Sequence, residues 1–237
     1  MAMQIFERKE KKYILSQEKY GEFLERISAH MKEDKYGLHT ICSLYYDTKN
    51  YDLIKRSSEK PTYKEKFRVR TYGVPSDEQM VYLEIKKKLM GIVYKRRISM
   101  RLAQVDTYMQ SEKERKFDNR LDQQISNEIF WLKQKETITP KVIIAYDRRA
   151  FSAYEEDGFR VTFDAKIRWR NNDLLLLNGH DGELVAPEID ILMEVKSLHA
   201  YPLWFANILS DLDLYPSKFS KYEQVYRRYL MNQKVGV

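Results

Sequence analysis

The sequence contains a single cysteine, Cys42, among its 237 residues. One thiol excludes an internal disulfide framework, which is typical of a protein from a reducing compartment. Cys42 lies in an apolar run with the composition of a strand. We therefore predict that it is a buried small hydrophobic residue and not a catalytic thiol.

Long apolar stretches are also absent. The first residues of the sequence are charged too early for the apolar segment of a signal peptide. The longest strongly apolar runs, such as 174–177, fall far short of the ~20 residues that a membrane helix needs. We expect a cytoplasmic protein with no membrane segment of its own.

No repeat, low-complexity segment or Gly/Pro/Ser-rich linker divides the sequence, so we predict one domain over residues 1–237. Aromatic residues make up 13% of the chain, which excludes the composition of a disordered protein. The net charge of +7 favours an anionic partner. Charge alone leaves a nucleic acid, an acidic membrane and a small polyphosphate open.

Apolar residues recur at helical spacing in four segments. The first begins near Ser16, a suitable N-cap, and ends near Lys32, and the second spans about 111–135. The third begins near Pro202, which suits a first helical turn, and the last covers 222–229. We interpret their apolar stripes as packing faces rather than cofactor sites.

Eight segments have the composition and alternation of strands, and an Asn-Gly or Asp-Gly pair near residue 180 is predicted to close a hairpin. Because few helices separate neighbouring strands, antiparallel pairing is favoured over parallel crossovers. The predicted strands are 41–46, 63–71, 81–87, 92–100, 141–151, 159–170, 173–177 and 189–198.

Several of these strands carry one sign of charge on one face. Side chains alternate along a strand, so the even positions of 64–70, which are all Lys or Arg, share a face. In 93–97 only Arg96 breaks the alternation. An ordinary solvated sheet face is one explanation. Such faces usually mix signs, however, because like charges opposite each other repel, and an anion would compensate the excess.

About eight antiparallel strands are enough to close a barrel around side chains or one small ligand. We predict an α+β fold, an antiparallel eight-stranded tunnel barrel with a charged interior and amphipathic helices packed outside. Arg and Lys in such an interior suit phosphate. The acids on these faces, Glu84, Asp164 and Glu194, are either ligands of a divalent cation or salt-bridge partners.

Nine short motifs follow one another along nearly the whole chain. They are RKEKKY (8–13), SLYYDT (43–48), KFRVR (66–70), LEIK (83–86), KRR (95–97), YDRRAF (146–151), RVTFD (160–164), MEVK (193–196) and FSKY (219–222). In this order and spacing they resemble the VTC domain, the polyphosphate polymerase module of the vacuolar transporter chaperone complex. That module belongs to the triphosphate tunnel metalloenzyme (CYTH-like) group.

The resemblance implies transfer of the γ-phosphate of ATP, or of another nucleoside triphosphate, to a growing chain of inorganic polyphosphate, with Mn²⁺ or Mg²⁺. Glu194 would be the principal metal ligand. The cations that would hold the triphosphate and the product are Lys12, Arg68, Arg70, Lys86, Arg148 and Arg160. Further phosphate-binding residues would be Lys66, Lys95, Arg97, Lys196, Lys218 and Lys221. The last two, three residues apart on the predicted last helix, would share one face.

Two other functions on the same scaffold stay open. Tunnel relatives hydrolyse tri- or polyphosphates with the same cations and glutamates, and a polyphosphate-binding module would need no turnover at all. Nucleic acid is not an expected partner, because no helix carries a basic stripe and no aromatic stacking motif stands out. The four histidines are scattered and are expected to be surface or packing residues.

The sequence departs from the eukaryotic complex in one respect. There the domain is joined to an SPX regulatory domain and a membrane segment, and this sequence shows neither. We expect a stand-alone module, whose coupling to a membrane would need a separate membrane partner.

Overall fold

The computed structural model describes residues 9–59, 62–90 and 92–232, which form two compact units. The first unit comprises the described residues of Met1–Thr40 together with Tyr146–Ile167 and Leu184–Ser220. The second comprises Ile41–Ala145, Arg168–Glu183 and the described residues of Lys221–Val237. Arg8, the first residue of the first motif, lies outside the described residues. The single domain expected over residues 1–237 stays a prediction.

Ten strands and six α-helices lie within this part of the chain. The strands are β1 (Lys9–Leu15), β2 (Met31–Glu33), β3 (His39–Asp47), β4 (Tyr63–Tyr72), β5 (Met80–Leu89), β6 (Ile92–Arg101), β7 (Thr139–Ala153), β8 (Arg160–Arg170), β9 (Glu183–Leu184) and β10 (Ile191–Ser197). The helices are α1 (Gln17–Ile27), α2 (Asp52–Ser58), α3 (Val105–Gln110), α4 (Arg120–Lys135), α5 (Leu203–Asp211) and α6 (Lys221–Val225). None of the helices in the described ranges is long and apolar enough to cross a membrane.

The core of the first unit is an aromatic cluster between α1, α5 and the strands. Phe23 of α1 packs edge-on against Phe163 of β8 and Phe205 of α5, with ring centroids 5.8 and 5.7 Å apart. Edge-to-face contacts of this kind stabilise a core beyond the area that they bury. The predicted N-cap of α1 is confirmed, because the hydroxyl of Ser16 accepts a hydrogen bond from the amide of Lys19.

The core of the second unit lies between α4 and one face of β4–β6. Ile125 and Ile129 of α4 pack in one buried cluster with Phe67, Leu83 and Ile98 of the three strands. These strand residues alternate with the charged positions of the sequence. The apolar alternation therefore directs one face of the sheet to the helix and leaves the charged residues on the other face.

The strands pair antiparallel wherever register is defined. In the first unit the order is β1-β10-β8-β7, with β2 on β7, and in the second unit it is β7-β3-β4-β5-β6. The eight strands of this path match the predicted number, and β2 and β9 are additional short strands. The order has two ends, at β1 and at β6, so hydrogen bonding among the described strands is that of an open sheet rather than of the closed barrel predicted.

Two helix predictions needed correction at their ends. The first helix ends at Ile27 and not near Lys32, because Met31–Glu33 pairs with β7 as a strand. The second begins only at Arg120, where the side chain of Asn119 accepts hydrogen bonds from the amides of Leu121 and Asp122. Local spacing could not reveal either end, because both depend on a competing strand pair or cap.

The other helix predictions are mostly confirmed. The third helix follows Pro202, and the last one is α6, continued by a π-helical turn at Tyr226–Leu230. Two short helices, α2 and α3, were not predicted. At seven and six residues they are too short to show a periodic apolar stripe.

Most strand predictions are confirmed to within a few residues, and one is wrong. The segment 173–177 is not a strand, since Leu176–Asn178 forms a 3₁₀ turn in which Leu176 is buried and Leu175 and Leu177 are exposed. The chain does return to pair with β8, but through β9, which directly follows Gly182. A run of leucines predicts burial, but it does not predict whether the backbone forms a strand or a turn. The first strand, β1, was not predicted.

Candidate functional site

In the second unit, cations of three neighbouring strands stand directly opposite one another. Lys66 of β4 pairs with Lys86 of β5, and Lys86 pairs with Lys95 of β6. In the next row Glu84 stands between Arg68 and Arg97. Like charges at directly opposite positions destabilise a sheet. The strand register thus brings the predicted cations of β4, β5 and β6 together on one face of the sheet.

Glu84 is the acid within this face, and only 2% of its side chain is exposed. Arg68 donates to one carboxylate oxygen of Glu84 from both Nε, at 2.9 Å, and Nη2, at 2.7 Å. Nζ of Lys95 lies 3.0 Å from the other oxygen, and Nε of Arg70 lies 3.6 Å from the first. One buried carboxylate is thus shared by three cations, and the group keeps a net positive charge.

The proximity of these charges changes their proton affinities. Burial alone would raise the pKa of Glu84, but the charges of Arg68, Arg70 and Lys95 lower it to about 2. Burial lowers the pKa of Lys95 to about 8, with Glu84 opposing the change and the two arginines adding to it. Glu84 is therefore fully ionised at neutral pH, and Lys95 is the cation of the group that loses its charge first as the pH rises.

Arg68 is also held from the side of β3. Its Nη1 donates to the hydroxyl of Tyr45 at 2.8 Å, and the ring of Tyr45 stacks on Tyr222 of α6 with centroids 4.6 Å apart. The hydroxyl of Tyr222 donates to Asp47, a buried carboxylate that also accepts backbone amides at the start of α2. This chain of contacts fixes the orientation of the Arg68 guanidinium group.

The residue that breaks the alternation, Arg96, belongs to the other face of β6. Arg96 and Lys87 both form ion pairs with Glu128 of α4. They attach the helix to the sheet, whereas Arg97 stacks over the ring of Tyr82 on the charged face, 4.8 Å from its centroid. Lys86 and Arg97 therefore lie on the charged face of the sheet. Their sequence neighbours Lys87 and Arg96 lie on the face that contacts α4.

In the first unit, a second charged face is formed by β1, β10, β8 and β7. Lys12 pairs with Glu194, and Glu194 pairs with Thr162. The adjacent row, Tyr13, Met193 and Phe163, is buried in the aromatic core. The alternation read from the sequence therefore places Lys12 and Glu194 on the face opposite to that core.

Arg148 and Asp164 form the most deeply buried ion pair of this face. Nε and Nη2 of Arg148 donate to the two oxygens of Asp164 at 2.6 and 2.8 Å, and none of the Asp164 side chain is exposed. Although burial opposes the charge of Arg148, the nearby Tyr146, Asp164 and Glu194 raise its pKa well above the ordinary value. The planar fork of arginine suits this bidentate contact.

The remaining predicted cations of the first unit are also held by protein groups. Nζ of Lys12 donates to the carbonyl of Phe219 at 3.0 Å, and Arg160 pairs with Asp34 at 3.1 Å. Lys196 contacts Glu194 at 2.7 Å. The structure thus brings five predicted residues to one face: Lys12, Arg148, Arg160, Glu194 and Lys196.

Lys218 and Lys221 do not share a helix face. The helix α6 begins at Lys221, and Lys218 lies in the exposed segment before it. The prediction that both lie on the last helix is wrong, because α6 begins at Lys221 and Lys218 precedes it. Their predicted role in phosphate binding stays a prediction.

The donor set around Glu194 limits the kind of metal site that this face can form. No group of three or more His, Cys, Asp or Glu side chains that could hold a metal occurs in residues 9–59, 62–90 and 92–232. Beside Glu194 in the register, the hydroxyl of Thr162 is buried without a hydrogen-bond partner among the described residues. Mg²⁺ and similar ions are often held by one or two carboxylates plus phosphate oxygens and water. The residues fit a cation that binds together with its phosphate ligand.

Two arginines near the end of β8 contact the residues that follow this strand. Arg168 donates to the carbonyl and ring of His180, and Arg170 donates to four backbone carbonyls of 173–181. They hold the loop after β8. Strand alternation could not predict this, because the loop that surrounds them has no periodic signal.

Other residues of the site were missed or underrated by sequence reasoning. Tyr45 and Asp47 were part of a motif without an assigned role, and Tyr222 was read only as a packing residue. Glu84 was recognised as an acid on the charged face, and the structure shows it as the common partner of three cations.

Known structures share this fold. The chain is similar to a proposed adenylate cyclase from Bacillus halodurans, with a TM-score of 0.53 and 11% identity over 93% of this chain and 96% of that one. It is also similar to a proposed adenylyl cyclase from Hippeastrum described as having a dominant triphosphatase activity, with a TM-score of 0.52 and 14% identity over 92% and 94%. At these identities the similarity shows the fold alone, and the predicted α+β class with a large antiparallel sheet is confirmed.

No curated protein matches the chain. The family model of the VTC domain matches residues 7–229, a range that contains all nine motifs. The resemblance stated from the sequence is confirmed, and the chain belongs to the VTC domain family.

Proposed function

We propose that this protein is a metal-dependent polyphosphate polymerase that transfers the γ-phosphate of ATP to the end of a polyphosphate chain. The observation that supports it best is the row of three lysines, Lys66, Lys86 and Lys95, in register on adjacent strands. Three like charges at opposite positions are unfavourable without an anion. A phosphate chain, which carries a negative charge at each unit, offers compensation along the whole row.

Arginines and acids would have separate roles in phosphate binding. Arg68 and Arg70 present guanidinium groups beside the lysine row, and Arg148 and Arg160 do the same in the first unit. Guanidinium groups bind two phosphate oxygens at once and keep their charge at any physiological pH. Glu84 and Asp164 orient the arginines that they contact, which lowers the cost of ordering these side chains when phosphate binds.

A divalent cation would be held by Glu194 together with phosphate oxygens. Mn²⁺ or Mg²⁺ at this position would neutralise charge that develops between the β- and γ-phosphates. Within each unit, the cations of its charged face would hold phosphate groups in place. The bond between the γ-phosphorus and its bridging oxygen breaks, ADP leaves, and a new bond forms to the terminal oxygen of the acceptor.

An acceptor phosphate needs no strong base, since its terminal oxygen is already ionised. This agrees with the positions of the histidines. His180 contacts Arg168, and His30 stacks on Trp204 with centroids 4.3 Å apart. Positioning and charge neutralisation are the main sources of catalysis in phosphoryl transfer, and both are supplied by fixed cations.

The test is to incubate the protein with ATP and Mn²⁺ or Mg²⁺ and to resolve the products by size. We expect ADP and long polyphosphate, with transferred phosphate recovered in the polymer in equal amount to ADP. The variant Lys86→Ala should lose on the order of tenfold or more of this activity. Lys87→Ala, its neighbour on the opposite face, should retain it. Release of ADP with only orthophosphate would contradict the proposal.

A triphosphatase is the second candidate. It is supported by the shared fold with the Hippeastrum protein, which is described as mainly a triphosphatase. In that case the same site would position water in place of an acceptor phosphate. Hydrolysis of tripolyphosphate to orthophosphate, with no longer chains at any ATP concentration, would identify it. Tight polyphosphate binding without turnover of either substrate would instead identify a binding module.

A further inference from the structure

The connection between β5 and β6 carries an exposed methionine in an unfavourable backbone conformation. Leu89 pairs with Ile92, so two residues separate the paired positions, and the first of them is Met90. Met90 has a φ of 48°, in the left-handed region, and 78% of it is exposed. Hairpin connections of this length favour Asn or Asp before Gly, because those residues tolerate this region. The turn itself therefore does not account for methionine at this position.

Apolar side chains surround Met90 at this end of the sheet. Tyr63, Leu89 and Ile92 form one cross-strand row and are 40%, 42% and 37% exposed. Val93, on the other face, is 48% exposed. The end of three adjacent strands is thus apolar on the face of Tyr63, Leu89 and Ile92 and at its tip, and Val93 adds an apolar side chain beside Lys88 on the other face. We call Tyr63, Leu89, Met90, Ile92 and Val93 the apolar tip.

A tryptophan of α4 faces the same strands. Glu128 contacts Lys87 and Arg96, and Lys135 approaches Glu65 of β4. Trp131 lies between Glu128 and Lys135 on the same side of the helix, because residues three and four apart are neighbours there. It is 66% exposed. Tryptophan combines a large apolar ring with a polar N–H and is enriched where apolar and aqueous regions meet.

The apolar tip is bordered by positive charge. Between Glu84 and Asp106 the sequence has no acid and seven cations, namely Lys86, Lys87, Lys88, Lys95, Arg96, Arg97 and Arg101. Three of these are neutralised in part by Glu128 and Glu84. Lys88, immediately before the tip, stands directly opposite Lys64 of β4. An apolar tip behind a pair of lysines is complementary to a surface that is negatively charged outside and apolar beneath.

We propose that the apolar tip and Trp131 form a docking site for an anionic lipid bilayer, with Met90 entering the interface and Lys88 contacting headgroups. Lys64, which donates to the carbonyl of Ser57 at 3.1 Å, adds positive charge beside Lys88. Interfacial binding of this kind combines buried apolar area with attraction to anionic lipids. A second copy of the chain would place two lysine pairs against each other, which opposes self-association. A nucleic acid would satisfy the lysines and leave the apolar side chains exposed.

The test uses the full chain without nucleotide or metal, so that it does not depend on the proposed enzymatic function. Binding is measured by flotation with vesicles of phosphatidylcholine alone and with about 30% phosphatidylserine added. We expect binding to the anionic vesicles, with a blue shift of tryptophan emission that is lost in Trp131→Phe. Of the other two tryptophans, Trp169 is buried and Trp204 is half-buried in the first unit, where it stacks on His30. Loss of the shift in Trp131→Phe therefore identifies Trp131 as the ring that inserts.

The decisive variant is Met90→Asn with Ile92→Thr. Asparagine suits the left-handed turn and threonine suits a strand, so the folded state should be at least as stable at these positions. Vesicle binding should nevertheless weaken on the order of tenfold or more. Leu203→Asn, which changes a 76% exposed leucine of the first unit, should bind as the wild type does. Lys88→Glu should weaken binding to anionic vesicles.

Three results would overturn the proposal. The first is a wild-type protein that does not float with anionic vesicles. The second is binding that survives the Met90/Ile92 variant, which would reveal attraction by charge alone. The third is self-association in solution that the same variant abolishes, which would assign the apolar tip to a second copy. Polyphosphate synthesis measured in solution should be unchanged in this variant.

Discussion

Arg68 directs both Nε and Nη2 to a single oxygen of Glu84, at 2.9 and 2.7 Å, while Lys95 approaches the other oxygen. The carboxylate therefore holds a guanidinium group and an ammonium group in fixed positions within a cationic face. Prepared donors of this kind bind phosphate with less loss of side-chain freedom than mobile surface cations do. The same contacts make Glu84 important for stability, and its contribution to the free energy of unfolding can be measured.

Replacing Glu84 by Gln should destabilise the protein by about 3–5 kcal/mol, because it leaves the buried Arg70 and the half-buried Arg68 without the carboxylate that they share. The pKa of Glu84 is about 2 in the folded state, against an ordinary value of 4.5. A lowered pKa means that the stabilisation is present above about pH 4.5 and is lost as the pH falls toward 2. Urea unfolding at a series of pH values should show a larger loss in the wild type than in Glu84→Gln, which keeps the smaller contribution of other paired carboxylates such as Glu33.

The matched control for that experiment is Glu78→Gln, since Glu78 forms an exposed pair with Arg101. It should change the free energy of unfolding by less than about 1 kcal/mol. Equal pH dependence in the two glutamine variants would count against the assigned role of Glu84.

Affinity for phosphate chains should fall as the pH rises through about 8. The reason is that burial and the neighbouring arginines lower the pKa of Lys95 to about 8, so that this lysine loses its charge in that range. Lys95→Arg, which stays charged, should keep its affinity up to about pH 9. Titration of tripolyphosphate at each pH provides the measurement, with Lys87→Arg as the control. An identical decline in all three proteins would contradict the assignment.

Neighbouring arginines of β7 should differ strongly in their effect on stability. Arg148→Ala leaves the fully buried Asp164 without its partner and should cost about 3–5 kcal/mol. Arg149 pairs with Glu33 where both side chains are about one third exposed, and Arg149→Ala should cost about 0–1 kcal/mol. Arg148→Lys should recover only part of the loss, because an ammonium group cannot make the bidentate contact. Chemical denaturation measures all three, and equal losses at the two positions would refute the distinction.

Tyr222 should influence the site through Tyr45 and Arg68. Tyr222→Phe removes one hydrogen bond to Asp47 and keeps the ring stack on Tyr45, so it should cost about 1 kcal/mol and leave phosphate affinity nearly unchanged. Tyr222→Ala removes the stack as well. It should lower the affinity of the folded protein for polyphosphate, which calorimetric titration can detect. Equal affinity in the two variants would show that the stack does not position Arg68.

Binding of Mn²⁺ should require a phosphate ligand, because the described residues offer no cluster of three metal-ligating side chains. Titration of Mn²⁺ followed by electron paramagnetic resonance should show weak binding alone and tight binding with tripolyphosphate. Glu194→Gln should weaken the second process by about tenfold or more. The exposed Glu183→Gln should not. Tight binding of Mn²⁺ without phosphate would refute this mode of metal binding.

Sequence reasoning succeeded where a pattern repeats over several residues. The alternation of β4 and β6 correctly predicted their charged faces, and Ser16 correctly marked the start of α1. It failed where a long-range partner sets the local conformation. Residues 28–32 continue a helical pattern but end in β2, and 173–177 form part of a loop held by Arg170.

The same division applies to the candidate site. That Lys66, Arg68 and Arg70 share a face follows from the sequence, since strand side chains alternate with a period of two. Which cation meets which acid depends on the folded chain, because ion pairs form between strands whose register is set by packing over long sequence distances. The sequence therefore determined that one face of the sheet is cationic and that the chain belongs to the VTC domain family. Tertiary packing determined that Glu84 organises Arg68, Arg70 and Lys95, and that Asp164 holds Arg148.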